Sequence, residues 1–290
     1  MWIYVLIVLL LLAAATAAVI YHDTHSFVVR EYEVDTDKIK GEFTFVLLAD
    51  LHGYVYGRDN ERLLDAVYKI SPDAVLCAGD MFVARKKDGK LLTHAGEHVL
   101  KELASRYPVY AANGNHEKKI KDLKKEYGNF YTRYKIGLER AGVTYLDNES
   151  AVIRDKNIRV TGLDLGREYF RKVVKKKMEE GLLNRQLGEI RGAEKESFQV
   201  LIAHNPQYFQ EYAGWGADLT VSGHVHGGII RLPFVGGVIS PALALFPKYS
   251  GGKYKIGDRT MILSRGLGTH TIHVRLFNPG EVAVIRIKGK

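Results

Sequence analysis

Side chains that bind metal ions recur in five short segments, each directly after an apolar run typical of a β-strand. The segments read DLH at 50–52, GD at 79–80, GNHE at 114–117, AHNP at 203–206 and GHVH at 223–226. Carboxylate, amide and imidazole groups suit Mn, Fe, Zn or Mg, whereas a thiolate site needs cysteines, and the chain has only Cys77. The candidate ligands are Asp50, His52, Asp80, Asn115, His204, His224 and His226.

The number of candidate ligands indicates two ions rather than one. A tetrahedral site takes four ligands, so this larger set fits two divalent cations that share a bridging carboxylate. Two cations about 3.5 to 4 Å apart bind a transferring phosphoryl group and activate water at neutral pH. We expect Mn²⁺, with Fe, Zn or Mg as alternatives. Each histidine alone also fits a structural or surface role, but the ordered set favours metal binding.

The elements that would position these residues alternate between strands and helices, which predicts an α/β fold with buried sheets. Ligands of open α/β sheets bind beyond the carboxyl ends of the strands, where all five segments stand. The predicted helices lie near 59–70, 93–106, 118–141 and 168–190. The predicted strands lie in the segments 43–50, 73–80, 108–117, 143–147, 151–155, 158–164, 198–206, 217–228, 260–264 and 282–288.

The first 21 residues contain no Asp, Glu, Lys or Arg. About 20 apolar residues can cross a bilayer as a helix, so residues 1–21 are predicted to be a single-pass anchor in the cell membrane. A cleaved signal peptide is the alternative, although no basic residues precede the apolar run. Residues 22–41 are expected to form a linker or an edge strand, followed by one domain over 42–290.

The net charge of +9 predicts an anionic partner: a phosphorylated substrate, an acidic lipid surface or nucleic acid. Basic residues cluster at 85–87, 118–125 and 171–177. These clusters are either solvated faces or surfaces that approach an anionic membrane. Few aromatic residues are interleaved with them, so nucleic acid is the least favoured partner.

In order and spacing, the segments D-x-H, G-D, G-N-H-E, H and G-H-x-H resemble the calcineurin-like metallophosphoesterase family over about residues 44–227. The run GGIIRLPFVGGVISPALALFPKYSGGKY at 227–254 and SRGLGT at 264–269 resemble its membrane-associated bacterial YkuE-like branch. The resemblance implies a sandwich of two facing β-sheets flanked by helices.

The resemblance also assigns roles to the candidate residues. It implies that Asp50, His52 and His226 bind one ion, that Asn115, His204 and His224 bind the other, and that Asp80 bridges both. It implies that His116 is the general acid, because an imidazole can protonate a leaving oxygen near pH 7. The remaining histidines, including the pairs 94/98 and 270/273, are expected to lie outside the ligand set.

Two further segments bear on the substrate. The sequence GDMFVAR at 79–85 lacks the Asp-Arg pair typical of protein serine/threonine phosphatases, which disfavours a phosphoprotein substrate. Residues 232–246 are apolar but contain Pro233, Pro241 and a glycine pair, so they fit a loop better than a spanning helix. This loop either packs over the sheet or forms an apolar lip that admits an acyl chain or enters the bilayer.

Together these features predict a membrane-anchored, dinuclear metal-dependent phosphoesterase that hydrolyses a phosphodiester or a pyrophosphate. A lipid-linked substrate is favoured, and UDP-diacylglucosamine is one example by analogy with related membrane enzymes. The alternatives are a broad-specificity phosphomonoesterase and a non-catalytic metal-binding scaffold.

Overall fold

Two six-stranded sheets, flanked by helices, follow a long N-terminal helix. The structure is a computed structural model that describes residues 1–87, 89–171, 175–232, 235–239, 245–269 and 272–289. The helices are α1 Trp2–His25, α2 Glu61–Ile70, α3 His94–Ala104, α4 Asn115–Asp122, α5 Lys124–Tyr127, α6 Phe130–Glu139, α7 Leu182–Leu187 and α8 Phe209–Trp215. The strands are β1 Phe27–Thr36, β2 Glu42–Leu48, β3 Ala74–Cys77, β4 Lys86–Lys87, β5 Lys90–Leu91, β6 Val109–Ala111, β7 Val143–Tyr145, β8 Ser150–Ile153, β9 Ile158–Leu163, β10 Phe198–Ala203, β11 Leu219–Ser222, β12 Ile230–Leu232, β13 Gly236–Ile239, β14 Gly252–Ile256, β15 Arg259–Leu263 and β16 Gly280–Gly289.

Both large sheets mix parallel and antiparallel strands. The first has the order β1-β16-β2-β3-β6-β7 and the second the order β14-β15-β11-β10-β9-β8. Within them, β2, β3, β6 and β7 run parallel, as do β9, β10, β11 and β15. Parallel strands end at the same edge of a sheet, so the loops that follow them gather along one rim.

Successive side chains of a strand point to opposite faces of the sheet, so each strand contributes to two apolar layers. In β2, Phe45 and Leu47 pack between the two sheets, whereas Val46 and Leu48 face the helices α2 and α3. A separate apolar cluster covers the outer face of the second sheet, where Tyr212 of α8 packs. The predicted α/β fold with two facing sheets flanked by helices is confirmed.

Two of the predicted helices differ from those in the structure. The helix predicted over 118–141 is divided into α4, α5 and α6, because Leu123 and Gly128 leave helical backbone geometry. The helix predicted over 168–190 is wrong: its described part contains a 3₁₀ turn at Arg167–Phe170 and the short α7. Met178 packs into the outer cluster and Lys176 O accepts a hydrogen bond from Tyr208, so tertiary contacts override helix propensity there.

Helix α1 projects from the domain and joins it at one end. Its residues 1–18 are exposed, and an 18-residue window has a mean hydropathy of 2.9, sufficient to cross a membrane. An N-terminal signal sequence has the same length and composition. Its last turn is buried at Asp23 and Thr24, and β1 follows as an edge strand parallel to β16.

Candidate metal centre

The predicted ligands meet at the rim where parallel strands of both sheets end. In the first sheet, β2 ends two residues before Asp50 and β3 ends three residues before Asp80, while Asn115 begins α4. In the second sheet, β10 ends directly before His204, and β11 ends two residues before His224. The two sheets therefore each contribute to one cluster, as strand-end positions predict.

Potential ligand atoms in this cluster lie within 4.8 Å of one another in three overlapping sets. The sets are Asp50, His52 and His226; His52, Asp80 and His116; and Asp80, His204 and His224. Asp80 belongs to two of the sets, and its Oδ2 lies 3.2 Å from His204 Nε2 and 3.9 Å from His52 Nε2. This is the position that a bridging carboxylate requires.

The first set places nitrogen and oxygen lone pairs close together. Asp50 Oδ1 lies 3.4 Å from His226 Nε2 and 3.7 Å from His52 Nε2. The Nε2 atoms of His52 and His226 are 3.0 Å apart, and their rings stack at an interplanar angle of 9°. Such a convergence of a carboxylate and two imidazoles suits a divalent cation.

Hydrogen bonds to the backbone fix which imidazole nitrogen faces the cluster. His204 Nδ1 donates to Ala78 O at 2.5 Å, and His226 Nδ1 donates to Gly268 O at 3.1 Å. Because a carbonyl can only accept, Nδ1 carries a proton in both rings, and in the neutral ring Nε2 has the lone pair that a cation would use. Asn115 Oδ1 is buried and finds no hydrogen-bond partner within the described residues, which leaves it for a cation. The residues present thus fit two divalent ions.

The backbone at the cluster adopts a conformation that side chains normally avoid. Five of the expected ligands have a positive φ: Asp50 at 53°, His52 at 50°, Asp80 at 55°, His224 at 77° and His226 at 54°. This left-handed region is uncommon for residues other than glycine, and such strain is typically retained at functional sites. The sharp turns at these residues direct the side chains of the expected ligands toward the cluster.

Two glycines permit the close approach of the ligand loops. A Cβ at Gly114 would overlap the Asp80 carboxylate, and a Cβ at Gly223 would overlap the Asp50 carboxylate. The amide that follows Gly223, that of His224, donates to both Asp50 oxygens at 3.1 and 2.9 Å. The glycine of each motif therefore provides space for a carboxylate from another strand.

Glu117, the last residue of the GNHE segment, supports the cluster from behind. Its carboxylate accepts hydrogen bonds from the backbone amides of Asp80, Met81 and Gly114 at 2.9 to 3.0 Å. Glu117 is buried, and its carboxylate joins two of the ligand loops. Its place in the motif was visible in the sequence, but its structural role was not predicted.

A second support was not predicted at all. Asn278 Nδ2 donates to His226 O at 2.7 Å and to Gly228 O at 2.6 Å, which holds the turn of the GHVH segment. The buried guanidinium of Arg275 donates to the carbonyls of Gly266 and Gly268, and Gly268 O is the acceptor for His226. Asn278 acts on main-chain groups 50 and 52 residues away, and Arg275 on carbonyls 9 and 7 residues away. Carbonyls are present at every residue, so no sequence pattern marks either contact.

Burial and mutual charge shift the pKa values of the central groups. Burial raises the pKa of Asp50 to about 7, although His204 lowers it, and the nearby Asp80 carboxylate raises it further. Burial also disfavours the charged form of Asp80, but His204 and His116 outweigh it and hold the pKa of Asp80 well below its usual range. Although burial opposes it, Asp80 raises the pKa of His204 to about 10. Cations that replace these protons would meet ionised carboxylates and neutral imidazoles.

His116 lies at the opening of the cluster with a defined tautomer. The Ala84 amide donates to His116 Nδ1 at 2.8 Å, so the neutral ring carries its proton on Nε2. That nitrogen is 3.9 Å from Asp80 Oδ2, and 13% of the side chain is exposed. The ring can therefore present a proton to a group bound at the cluster.

Other predicted features lie elsewhere. His94 and His98 stack on α3, outside the three ligand sets, and His273 bonds with Thr269. Position 270 and the basic residue at 172 lie outside the described residues. In the basic cluster at 118–125, Lys118 and Lys121 form ion pairs with Asp164, so part of that charge is neutralised.

The profile of a family described as calcineurin-like phosphoesterase matches residues 43–228. The chain belongs to this family. The family and the geometry together show a metal-dependent phosphoesterase, a hydrolase, with a candidate dimetal site. The resemblance proposed from the five segments is confirmed.

Three relatives illustrate the similarity. An uncharacterized metallophosphoesterase of Aquifex aeolicus (strain VF5) is 26% identical over 92% of this chain and 94% of its own. The uncharacterized metallophosphoesterase YkuE of Bacillus subtilis (strain 168) is 24% identical over 92% and 88%. The phosphodiesterase YaeI of Escherichia coli (strain K12) is 28% identical over 78% and 76%.

Proposed function

We propose that the chain is a membrane-anchored, Mn²⁺-dependent phosphodiesterase or pyrophosphatase that acts on a lipid-linked substrate such as UDP-diacylglucosamine. The observation that carries this proposal is the contact between the end of α1 and the support of the metal centre. Asn278, which holds the His226 turn, donates its backbone amide to Asp23 Oδ2 at 2.9 Å. With α1 in a bilayer, this contact keeps the metal centre close to the membrane surface.

The residues of the site divide the chemistry between binding and proton transfer. Two divalent cations, when bound, supply Lewis acidity that activates water and neutralises charge on the phosphoryl oxygens. Asp50, His52 and His226 would hold one ion and Asn115, His204 and His224 the other, with Asp80 as the proposed ligand of both. His116 carries a proton on Nε2 near the cluster, where it would stabilise the leaving oxygen by a hydrogen bond or protonate it, and the ring would then regain its proton from water.

Apolar side chains beside the site support a lipid substrate. Leu232, Val235, Leu245 and Phe246 are 41%, 55%, 66% and 64% exposed. They belong to the predicted lip at 232–246, of which residues 233–234 and 240–244 lie outside the described residues. Several exposed apolar side chains within one segment are typical of a membrane or lipid contact. The relative YaeI is named as a phosphodiesterase, which supports a diester substrate for this chain.

Two model esters distinguish the candidate activities. The purified full chain with Mn²⁺ is expected to hydrolyse bis-p-nitrophenyl phosphate in preference to p-nitrophenyl phosphate. Preference for the monoester would indicate a broad phosphomonoesterase, and inactivity with every divalent metal would indicate a scaffold. Lipid extracts incubated with the enzyme and analysed by mass spectrometry would then identify the substrate.

A substitution in the lip tests the lipid part of the proposal. Leu245→Asp is expected to impair hydrolysis of a lipid phosphodiester while sparing bis-p-nitrophenyl phosphate, because only the lipid needs the apolar surface. Val152→Asp, at a 52% exposed position on the edge strand β8, is the matched control. Equal losses on both substrates in Leu245→Asp would contradict a lipid contact.

A further inference from the structure

A basic cavity of about 660 Å³ lies beside the metal centre and contains none of its predicted ligands. Its charged lining residues are Arg231, Lys248 and Arg265, and no carboxylate lines it in the part of the chain that the structure describes. Arg231 connects the cavity to the metal centre, because its Nη1 donates to the carbonyl of Gly227, directly after His226. The cavity is therefore adjacent to the catalytic cluster but chemically distinct from it.

The positive charge of the cavity is incompletely balanced. Arg231 donates to the carbonyls of Ser250 and Gly251 as well, and within the described residues no carboxylate lies at ion-pair distance from it or from Lys248. Arg265 pairs with the buried Glu281 at 3.2 Å, and the same carboxylate also lies 3.8 Å from Arg30. One buried carboxylate thus serves two arginines. An anion in the cavity would neutralise the remaining charge.

Exposed phenylalanines stand next to these cations. Phe277 lines the cavity, is 54% exposed and has a φ of 55°. Phe246, directly before the lining residue Pro247, is 64% exposed and has a φ of 45°. A bulky residue in the left-handed region is strained, and neither ring gains much burial to offset that strain. An apolar environment outside the protein would give both rings a contact.

The contacts at the end of helix α1 indicate that this apolar environment is the membrane. Thr24 Oγ1 accepts from the Arg275 amide at 3.3 Å and Asp23 Oδ2 accepts from the Asn278 amide at 2.9 Å, so Phe277 lies between two anchored positions. A helix rises 1.5 Å per residue, so about 20 residues of α1 span a hydrocarbon core of about 30 Å. Asp23 and Thr24 then lie within about one helical turn of the membrane surface. Phe277 lines the cavity and lies between Arg275 and Asn278, so this part of the cavity is close to the end of α1.

We infer that this cavity binds the anionic headgroup of a phospholipid in the membrane that α1 spans. The headgroup phosphate contacts Arg231 and Lys248, while Phe277 and Phe246 insert among the acyl chains. This lipid is a resident contact that orients the domain and is separate from the substrate at the metal centre. The inference rests on the membrane anchorage proposed above but not on the phosphoesterase reaction.

Binding to the full chain in detergent micelles tests the inference. The probes are dioctanoyl phosphatidylglycerol, dioctanoyl phosphatidylcholine and inorganic phosphate, with bound lipid measured by native mass spectrometry. Phosphatidylglycerol is expected to bind, and Lys248→Gln and Arg231→Gln should each weaken it about fivefold or more, since each removes one cationic contact. Lys255→Gln, an exposed lysine on β14 outside the cavity, should leave binding unchanged.

Three results would overturn the inference. They are equal binding of the two lipids, unchanged binding in both Lys248→Gln and Arg231→Gln, and competition by inorganic phosphate as effective as that by phosphatidylglycerol. The last would indicate a site for a soluble phosphate. The same samples are also assayed for hydrolysis of bis-p-nitrophenyl phosphate, which distinguishes failure of the headgroup site from failure of the proposed reaction. An active enzyme that fails to bind the anionic lipid would contradict only the headgroup site.

Discussion

At the scale of single residues, His116 differs from His204 and His226 in the partner of its Nδ1. His204 and His226 donate from Nδ1 to carbonyls, whereas His116 accepts there from the amide of Ala84. The two ligand rings thus present lone pairs, while the neutral His116 ring presents a proton. This difference in one backbone contact supports the proposal that His204 and His226 bind metal while His116 donates a proton.

Removal of that proton should slow the reaction without emptying the metal sites. We expect His116→Gln to retain both ions and to lose about 10²- to 10⁴-fold in kcat on an alkyl phosphodiester. The loss should be smaller on a p-nitrophenyl ester, because p-nitrophenolate leaves without protonation. Metal analysis by mass spectrometry accompanies the kinetics. Loss of an ion from this variant, or equal losses on both esters, would contradict the general-acid role.

Asp80 belongs to two of the three sets of potential ligand atoms and is the proposed bridging ligand. Asp80→Asn replaces its carboxylate by a neutral amide, so we expect kcat/KM to fall on the order of 10³-fold, about 4 kcal/mol of transition-state stabilisation. Asp155→Asn, at an exposed position in a 3₁₀ turn, is the control and should remain fully active. If Asp80→Asn keeps more than about a tenth of the activity, the shared-ligand assignment is wrong.

At the scale of elements, the sequence predicted most where the local signal was strong. The five apolar runs before the ligand segments correspond to β2, β3, β6, β10 and β11, and their parallel pairing explains why the ligands meet. The segment at 168–190 was mispredicted because its helical pattern is overridden by contacts such as that of Tyr208 with Lys176 O. Short-range periodicity cannot report such contacts.

The side chains that hold the ligand loops in place could not be predicted from the sequence, for a different reason. Asn278 and Arg275 hold the ligand turns through backbone carbonyls, which every residue type carries, so no complementary residue pair appears in the sequence. The same holds for the amides that bind Glu117. The residues that meet in the cluster were therefore predictable by type and order, while the contacts that orient their loops required the structure.

The loop at 275–278 gives a prediction at this scale. Asn278→Ala leaves two carbonyls of the His226 turn without their donor, so we expect metal affinity to fall about 10- to 100-fold, as for other supports of metal ligands. Isothermal titration with Mn²⁺ measures the change. Asn184→Ala, at an exposed position on α7, should bind as the unmodified chain does. Unchanged affinity in Asn278→Ala would show that the turn holds its shape without this side chain.

At the scale of the whole molecule, the metal centre joins the two sheets. Asp50 and Asp80 follow strands of the first sheet, and His204 and His224 follow strands of the second. Two buried carboxylates close together repel each other when ionised, and strained turns hold several of the ligands. Bound cations would offset both effects, so metal binding should stabilise the fold as well as serve catalysis.

Chelation should therefore lower thermal stability. An ion present at 100 times its Kd stabilises a protein by about 2.7 kcal/mol, which corresponds to about 5 to 10 °C in Tm for a domain near this size. We expect EDTA to lower the Tm by about this amount and Mn²⁺ to restore it, as measured by scanning calorimetry. Asp80→Asn should respond less. An unchanged Tm would mean that the cluster does not hold its ions tightly.

If the two sheets hold a pair of cations between them, anomalous X-ray diffraction from crystals grown with Mn²⁺ will locate both ions. We expect two anomalous peaks about 3.5 to 4 Å apart, with the Asp80 carboxylate between them. One peak should lie against Asp50, His52 and His226, and the other against Asn115, His204 and His224. A single peak, or a pair bound elsewhere on the chain, would contradict this expectation.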